Sequence, residues 1–221
     1  CFDYAYFRRI ATEARAAGYR FVTLRDFIAL GRPPRGHFVL RHDLDTKPAS
    51  LAPLLAVERE LGVPSTVFVR VMGAGYNPFG YDVFPALRAL VDSGGEVGLH
   101  TNFVEFAAYC GLDPYEVLEA EVAALKRVFP LSGVACHRDI NYRYNSLPLL
   151  ERNWDSWRQA LGFDYQAYDP ALFEAAHYVN EGLSPHLGWR RLVPEQVIPE
   201  GRSIYMLTHP HWWYRTHPHE F

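Results

Sequence analysis

Residues 38–45 of the chain read Phe38-Val39-Leu40-Arg41-His42-Asp43-Leu44-Asp45. The apolar start of this stretch is typical of a buried β-strand, and its polar end brings an imidazole and two carboxylates to the end of that strand. Because side chains alternate along a strand, we expect Asp43 and Asp45 on one face and His42 on the other. Two neighbouring carboxylates repel each other unless a cation lies between them or one of them holds a proton. The stretch therefore predicts either a metal site or an acid–base pair.

Three other predicted strands end in a similar way, at His100, at His137-Arg138 and at His209. Short apolar strands alternate with amphipathic helical segments along the chain, which favours a parallel sheet, either an open doubly wound sheet or a barrel. In such folds the functional residues gather at the carboxyl ends of the strands. The four polar strand ends are therefore expected to form one shared site.

The composition limits the classes of protein that need to be considered. A chain of 221 residues can form one domain with a full core, and no linker or low-complexity tract divides it, so residues 1–221 are predicted to be a single domain. The net charge of -3 and the lack of a basic stripe argue against a nucleic-acid partner. No apolar run has the length of a membrane span and no signal peptide is visible, so a cytoplasmic location is expected.

The residue types at the strand ends indicate metal-assisted chemistry. One Asp with two His is a ligand set that suits Zn²⁺, with Co, Ni and Fe as alternatives, and it leaves coordination positions open. Such an ion lowers the pKa of a bound water to about 7 and polarises a carbonyl group. A carboxylate beside the ion can accept the proton of the water, and an imidazole opposite can protonate a leaving group.

The strand ends resemble, in the same order along the chain, three motifs of the NodB-like polysaccharide deacetylases, carbohydrate esterase family 4 and its divergent relatives. The strand-terminal Asp pair of that family is similar to Arg41-His42-Asp43-Leu44-Asp45. Its metal-binding His after a Glu-hydrophobic-Gly strand is similar to Glu96-Val97-Gly98-Leu99-His100, and its final His motif is similar to Leu207-Thr208-His209-Pro210. The resemblance spans about residues 37–213 and implies a distorted (β/α)₇ barrel of the polysaccharide deacetylase type.

The resemblance also implies a role for each matched residue. Asp43 would be the general base, Asp45 and His100 metal ligands, and His209 the general acid. The family has an Arg that orients the catalytic Asp. Arg138 lies at about the corresponding place in the order, and Arg41 is the competing candidate.

The chain departs from the family at one metal ligand. The family's second motif has two His four residues apart, but the residue four after His100 is Val104, which cannot bind a metal. We expect His137, at the end of the next strand, to replace the missing ligand, with Glu105 as the substitute candidate. The predicted metal triad is therefore Asp45, His100 and His137, and the alternative is a domain that has lost the triad and binds no metal.

The expected function is a metal-dependent hydrolase that removes an N-acetyl or similar acyl group from an amino sugar or glycan by metal-activated water. Two alternatives stay open: a catalytically inactive glycan-binding barrel, and a metal-dependent hydrolase of another amide, such as a cyclic one. The expected partner is a carbohydrate or another small-molecule substrate. Trp212, Trp189 and Tyr142 are candidate substrate contacts, although the two tryptophans serve equally well as packing residues.

Overall fold

The computed structural model describes residues 2–31, 35–73, 75–137, 144–182 and 188–216. The helices in these ranges are α1 (Tyr4–Ala16), α2 (Leu24–Ala29), α3 (Leu51–Leu61), α4 (Phe84–Asp92), α5 (Phe103–Cys110), α6 (Pro114–Lys126), α7 (Leu147–Arg152), α8 (Trp154–Leu161), α9 (Pro170–Ala175) and α10 (Pro194–Val197). The strands are β1 (Arg20–Val22), β2 (His37–Leu44), β3 (Thr66–Val69), β4 (Glu96–Thr101), β5 (Gly133–Cys136), β6 (Tyr165–Gln166), β7 (His177–Asn180) and β8 (Ile204–Thr208). None of the described helices combines the length and apolar character needed to cross a bilayer.

All of the described strands belong to one parallel sheet, which confirms the predicted α/β class. The strand order is β6-β5-β4-β3-β2-β8-β7, and the short β1 pairs with the first residues of β2. The hydroxyl group of Tyr205 on β8 donates to the carbonyl of Ala167, just after β6, across 3.0 Å. Since neighbouring strands lie about 4.8 Å apart, strands five places away in the order can only meet if the sheet curls. The sheet is therefore a half-barrel with an inner and an outer face.

Both faces of the half-barrel are covered by apolar side chains. The inner face carries a cluster that includes Val39, Phe68 and Tyr205. On the outer face, one cluster lies between β3–β5 and the helices α3–α8, and another lies between β2, β8 and α1. A parallel sheet that is buried on both sides explains why the strands read as nearly continuous apolar runs.

A buried carboxylate occupies the inner face at the amino end of β4. Glu96 accepts hydrogen bonds from Thr66 Oγ1 at 2.8 Å, Ser132 Oγ at 3.0 Å, Tyr165 Oη at 2.9 Å and the backbone N–H of Arg25 at 3.1 Å. These four donors come from three strand starts and from α2, so this one side chain ties together the amino-terminal end of the half-barrel.

The middle layer of the interior depends on a glycine. A Cβ atom on Gly98 would lie 2.4 Å from the ring of Phe68, which is closer than carbon atoms can approach. Because Gly98 leaves this space, the Phe68 ring can pack against the guanidinium of Arg41, with 5.0 Å between the ring centroid and Cζ. The centroid of the Tyr168 ring is 4.6 Å from the same Cζ atom. The aromatic sandwich brings a buried cation directly beneath the carboxyl end of β2.

Candidate metal centre

Three strand ends bring potential metal ligands together. Asp45 follows β2, His100 is on β4 and His137 follows β5, and one ligand atom from each lies within 4.8 Å of the others. His100 Nε2 is 3.0 Å from Asp45 Oδ1, and His137 Nε2 is 3.9 Å from Asp45 Oδ2. Two ligands that are each about 2.0 Å from a tetrahedral ion are about 3.3 Å apart, so this group could hold a metal ion.

The hydrogen bonding of His100 fits a metal ligand. Its Nδ1 lies 2.9 Å from the carbonyl oxygen of Ala135 and donates to it, so in the neutral ring Nε2 carries a lone pair. That lone pair faces Asp45 Oδ1, a buried atom with no hydrogen-bond partner among the described residues. Two electron-rich atoms that face each other in a buried site are stabilised by a cation between them. The donor set and its orientation therefore suit a divalent ion.

Asp43 lies beside this triad and is held by Arg41. The guanidinium donates two hydrogen bonds of 2.7 Å, from Nε to Oδ1 and from Nη2 to Oδ2, and both side chains are buried. Burial acts to raise the pKa of Asp43, but the charge and hydrogen bonds of Arg41, together with His100 and His209, outweigh burial and lower the pKa below its ordinary value. Asp43 Oδ2 is 3.6 Å from His100 Nε2, so an ionised, oriented carboxylate lies at the edge of the metal group.

Arg41 has further partners that fix its position. Its Nη1 donates to Tyr205 Oη at 2.9 Å, and its Nη2 donates to Tyr168 Oη at 3.0 Å. Of the two arginines that the sequence offered as orienting residues, the structure brings Arg41 onto Asp43. Arg138 lies outside the described residues.

His209 also lies beside Asp45. Its Nε2 is 3.6 Å from Asp45 Oδ2, and its Nδ1 is 2.9 Å from Glu181 Oε2. Burial acts to lower the pKa of His209, but Glu181, followed by Asp45 and Asp43, raises it to about 9. The imidazole is therefore protonated at neutral pH, as a proton donor must be.

Glu181 was not predicted from the sequence. It follows β7 in a segment without clear periodicity, and its second carboxylate oxygen accepts a hydrogen bond from Trp213 Nε1. The buried carboxylate also accepts from the backbone N–H of His209 at 2.7 Å. A lone Glu in an irregular segment carries no spacing signal, so only the fold reveals its contact with His209.

His42 is on the other face of β2, as the alternation predicts. Its two ring nitrogens contact Glu58 on α3 and Thr208 on β8, and the imidazole is fully buried. Ser65 donates to the second oxygen of Glu58 at 2.6 Å. His42 therefore connects the outer face of the sheet to α3 and takes no part in the metal group.

The place of the missing family ligand is apolar in this chain. Val104 lies on α5 and packs against the outer apolar cluster. The substitute candidate Glu105 accepts a hydrogen bond of 2.6 Å from Asn102 Nδ2 and is not part of the metal group. The ligand candidate that the structure brings to Asp45 and His100 is His137.

The predicted aromatic contacts lie in different surroundings. The ring of Trp212 is 4.7 Å from that of His209, so this half-buried side chain borders the site. Trp189 packs edge-on against Phe2 at 5.0 Å and donates from Nε1 to Tyr6 Oη, which is a packing environment. Tyr142 lies outside the described residues.

No family model, curated protein or solved structure matches the chain. The geometry of the strand ends is therefore the basis on which its chemistry can be argued.

Proposed function

We propose that the protein is a metal-dependent hydrolase that removes an N-acetyl or similar acyl group from an amino sugar or glycan. The observation that carries this proposal is the placement of two groups next to the Asp45–His100–His137 group. Asp43, held by Arg41, lies at its edge, and protonated His209 lies beside Asp45. Amide hydrolysis by a metal-activated water needs a general base, a metal site and a general acid close together in space. The order of the three motifs along the chain supports a distorted barrel of the NodB type.

Asp45, His100 and His137 would hold the ion, and Zn²⁺ suits this donor set best. When bound, the ion supplies Lewis acidity, which makes water more acidic and the amide carbonyl more electrophilic.

The chain's own residues would move the protons. Asp43 is ionised and fixed by two hydrogen bonds from Arg41, so it accepts a proton from the attacking water. His209, held by Glu181, gives its proton to the amide nitrogen as the C–N bond breaks. The products are a free carboxylic acid and an amine, and one water molecule accounts for all of the added atoms.

Two isosteric variants test the proposal. Asp45→Asn removes a metal ligand and should lose both bound zinc, measured by mass spectrometry of the dialysed protein, and acetate release from oligomers of N-acetylglucosamine. Asp43→Asn should keep the zinc and lose acetate release by about 100-fold or more, because a positioned general base contributes a factor of this size. Asp164→Asn, an exposed Asp far along the chain, is the matched control and should change neither quantity.

The same pair of variants distinguishes the alternatives. A wild-type protein that binds zinc but releases no acetate from any N-acetylated sugar contradicts the deacetylase proposal. A wild-type protein without zinc, and an Asp43→Asn variant that binds glycan as the wild type does, would instead identify a binding barrel without turnover.

A further inference from the structure

A cavity of about 430 Å³ lies along β7, apart from the candidate metal centre. Its walls are β7, the segment 190–192, Arg202 shortly before β8, and Phe173 and Ala176 at and after the end of α9, and they include none of the proposed catalytic or metal-binding residues. Within the sheet β7 is a terminal strand, and beyond it the backbone N–H of Arg190 donates to the carbonyl of Asn180 at 2.9 Å. The volume is that of small-molecule sites, which span about 300–1,000 Å³. We call it the β7 cavity.

The described residues that line the β7 cavity include three arginines and no carboxylate. Arg190, Arg191 and Arg202 contribute their positive charges although the chain as a whole carries a net charge of -3. The nearby Glu200 is 2.8 Å from His177 Nε2 and is paired with it. A concave site with several guanidinium groups favours an oxyanion, because Arg matches the geometry of phosphate and carboxylate oxygens.

The three arginines are not equally available to a ligand. Arg202 Nη2 donates to the backbone carbonyls of Glu174 and Phe173, so its guanidinium is fixed by the fold. Arg190 and Arg191 are exposed, and their guanidinium groups form no ion pair or side-chain hydrogen bond within the described ranges. They are therefore the two cations that can reach a bound anion.

A second observation indicates a hydrogen-bond donor on the ligand. Asn180 Oδ1 belongs to a residue that lines the cavity, and this buried atom accepts no hydrogen bond from the part of the chain that the structure describes. A buried acceptor without a partner costs free energy, which a hydroxyl group of a ligand would recover.

We propose that the β7 cavity binds a hydroxylated oxyanion, that is, a sugar phosphate or a sugar carboxylate. Arg190 and Arg191 bind the acidic group, and Asn180 accepts from a sugar hydroxyl. The inference does not depend on the proposed hydrolase function, because the cavity shares no residue with that site.

Calorimetric titration of the wild-type protein with glucose 6-phosphate, glucuronate and neutral glucose tests the proposal. At least one of the two acids should bind saturably, and the neutral sugar should bind at least about tenfold more weakly, since it lacks the charge-assisted contacts. The acid that binds more tightly identifies the acidic group. In Arg190→Gln/Arg191→Gln the affinity for that acid should fall by about tenfold for each guanidinium removed.

The matched control is Arg152→Gln/Arg158→Gln, which removes two exposed arginines elsewhere and should keep the affinity within about twofold. Both double variants change exposed side chains, and their thermal unfolding curves verify that they fold. The proposal is overturned if neither acid binds saturably, if glucose binds as tightly as the acids, or if the control loses as much affinity as the cavity variant.

Discussion

Arg41 is a buried cation, and its N–H groups donate hydrogen bonds to partners on neighbouring elements of the fold. It donates to Asp43 twice, to Tyr205 and to Tyr168, and it lies between the rings of Phe68 and Tyr168. A lysine could replace the charge but not the planar fork of donors, because an ammonium group is a compact point charge. The shape of the guanidinium, as well as its charge, therefore orients Asp43.

Arg41→Lys is expected to reduce the free energy of unfolding by about 3 kcal/mol, since it breaks the paired geometry of a buried ion pair and leaves hydroxyl oxygens of neighbouring tyrosines without a hydrogen-bond donor. Urea denaturation followed by tryptophan fluorescence measures the change. The control is Arg8→Lys, because the exposed pair of Arg8 and Glu60 should contribute less than about 1 kcal/mol. Equal losses in the two variants would show that Arg41 is not a fixed clamp.

At the scale of elements, the sequence predicts the strands whose ends form the site better than the segments between them. The runs before Asp43 and His209 are mostly apolar because these strands are buried on both faces of the sheet, which makes them predictable, and the shorter run Val97-Gly98-Leu99 leads to His100. β1 is only Arg20–Val22, which is too short to show a strand pattern in the sequence. Its extended conformation is stabilised by pairing with β2. Apolar periodicity indicates one helix over 147–161. The structure instead has two helices, α7 and α8, which are separated at Asn153, and the side chain of Asn153 donates to the carbonyl of Leu149.

The candidate site, like the strands, is only partly predictable from the sequence. The carboxylates and imidazoles at strand ends were predictable because the direction of a parallel sheet places them at one edge. The contacts of Arg41 with Asp43 and of Glu181 with His209 depend on tertiary packing, which spacing along the chain does not encode. The sequence therefore predicts which side chains meet at the centre, and the fold determines which side chains hold them there.

Glu96 links elements at the end of the half-barrel that is remote from the site. Glu96→Gln should reduce the free energy of unfolding by about 3 kcal/mol, because one of the four hydrogen-bonded donors then faces an amide NH₂ group instead of a carboxylate oxygen, and the charge-assisted bonds are lost. Chemical denaturation gives the value, with the exposed Glu119→Gln on α6 as the control. A loss of less than about 1 kcal/mol would mean that the other core contacts hold these elements without Glu96.

At the scale of the whole molecule, charge alternates along the interior of the half-barrel. Glu96 lies at the amino end, Arg41 in the middle, and Asp43 and Asp45 at the carboxyl end. Glu96 has several donors, and Arg41 and Asp43 are paired with each other, as the low polarity of an interior requires. At the carboxyl end of this column Asp45, His137 and His209 are partly exposed, whereas Glu96 at the amino end is buried.

Glu121 makes the stability of the whole protein depend on pH. This buried side chain on α6 accepts from Thr101 Oγ1 and from the backbone N–H of Met72 at 3.2 Å, so it connects the helix to β4 and to the segment that follows β3. Burial raises its pKa from 4.5 to about 7, against the opposing effects of these donors and of Arg70. The folded protein therefore keeps a proton that the unfolded chain releases between these two values.

The stabilisation from this proton is complete below pH 4.5 and is lost as the pH rises to about 7, a change of about 3 kcal/mol. Glu121→Gln cannot ionise, so its free energy of unfolding should lack this decline. We expect the variant to be more stable than the wild type at about pH 8 and close to it at about pH 5, in urea denaturation of the metal-free protein. Glu119→Gln, which changes an exposed acid on the same helix, should follow the wild-type curve. Parallel pH curves for the wild type and Glu121→Gln would show that Glu121 is ionised in the folded protein throughout this range.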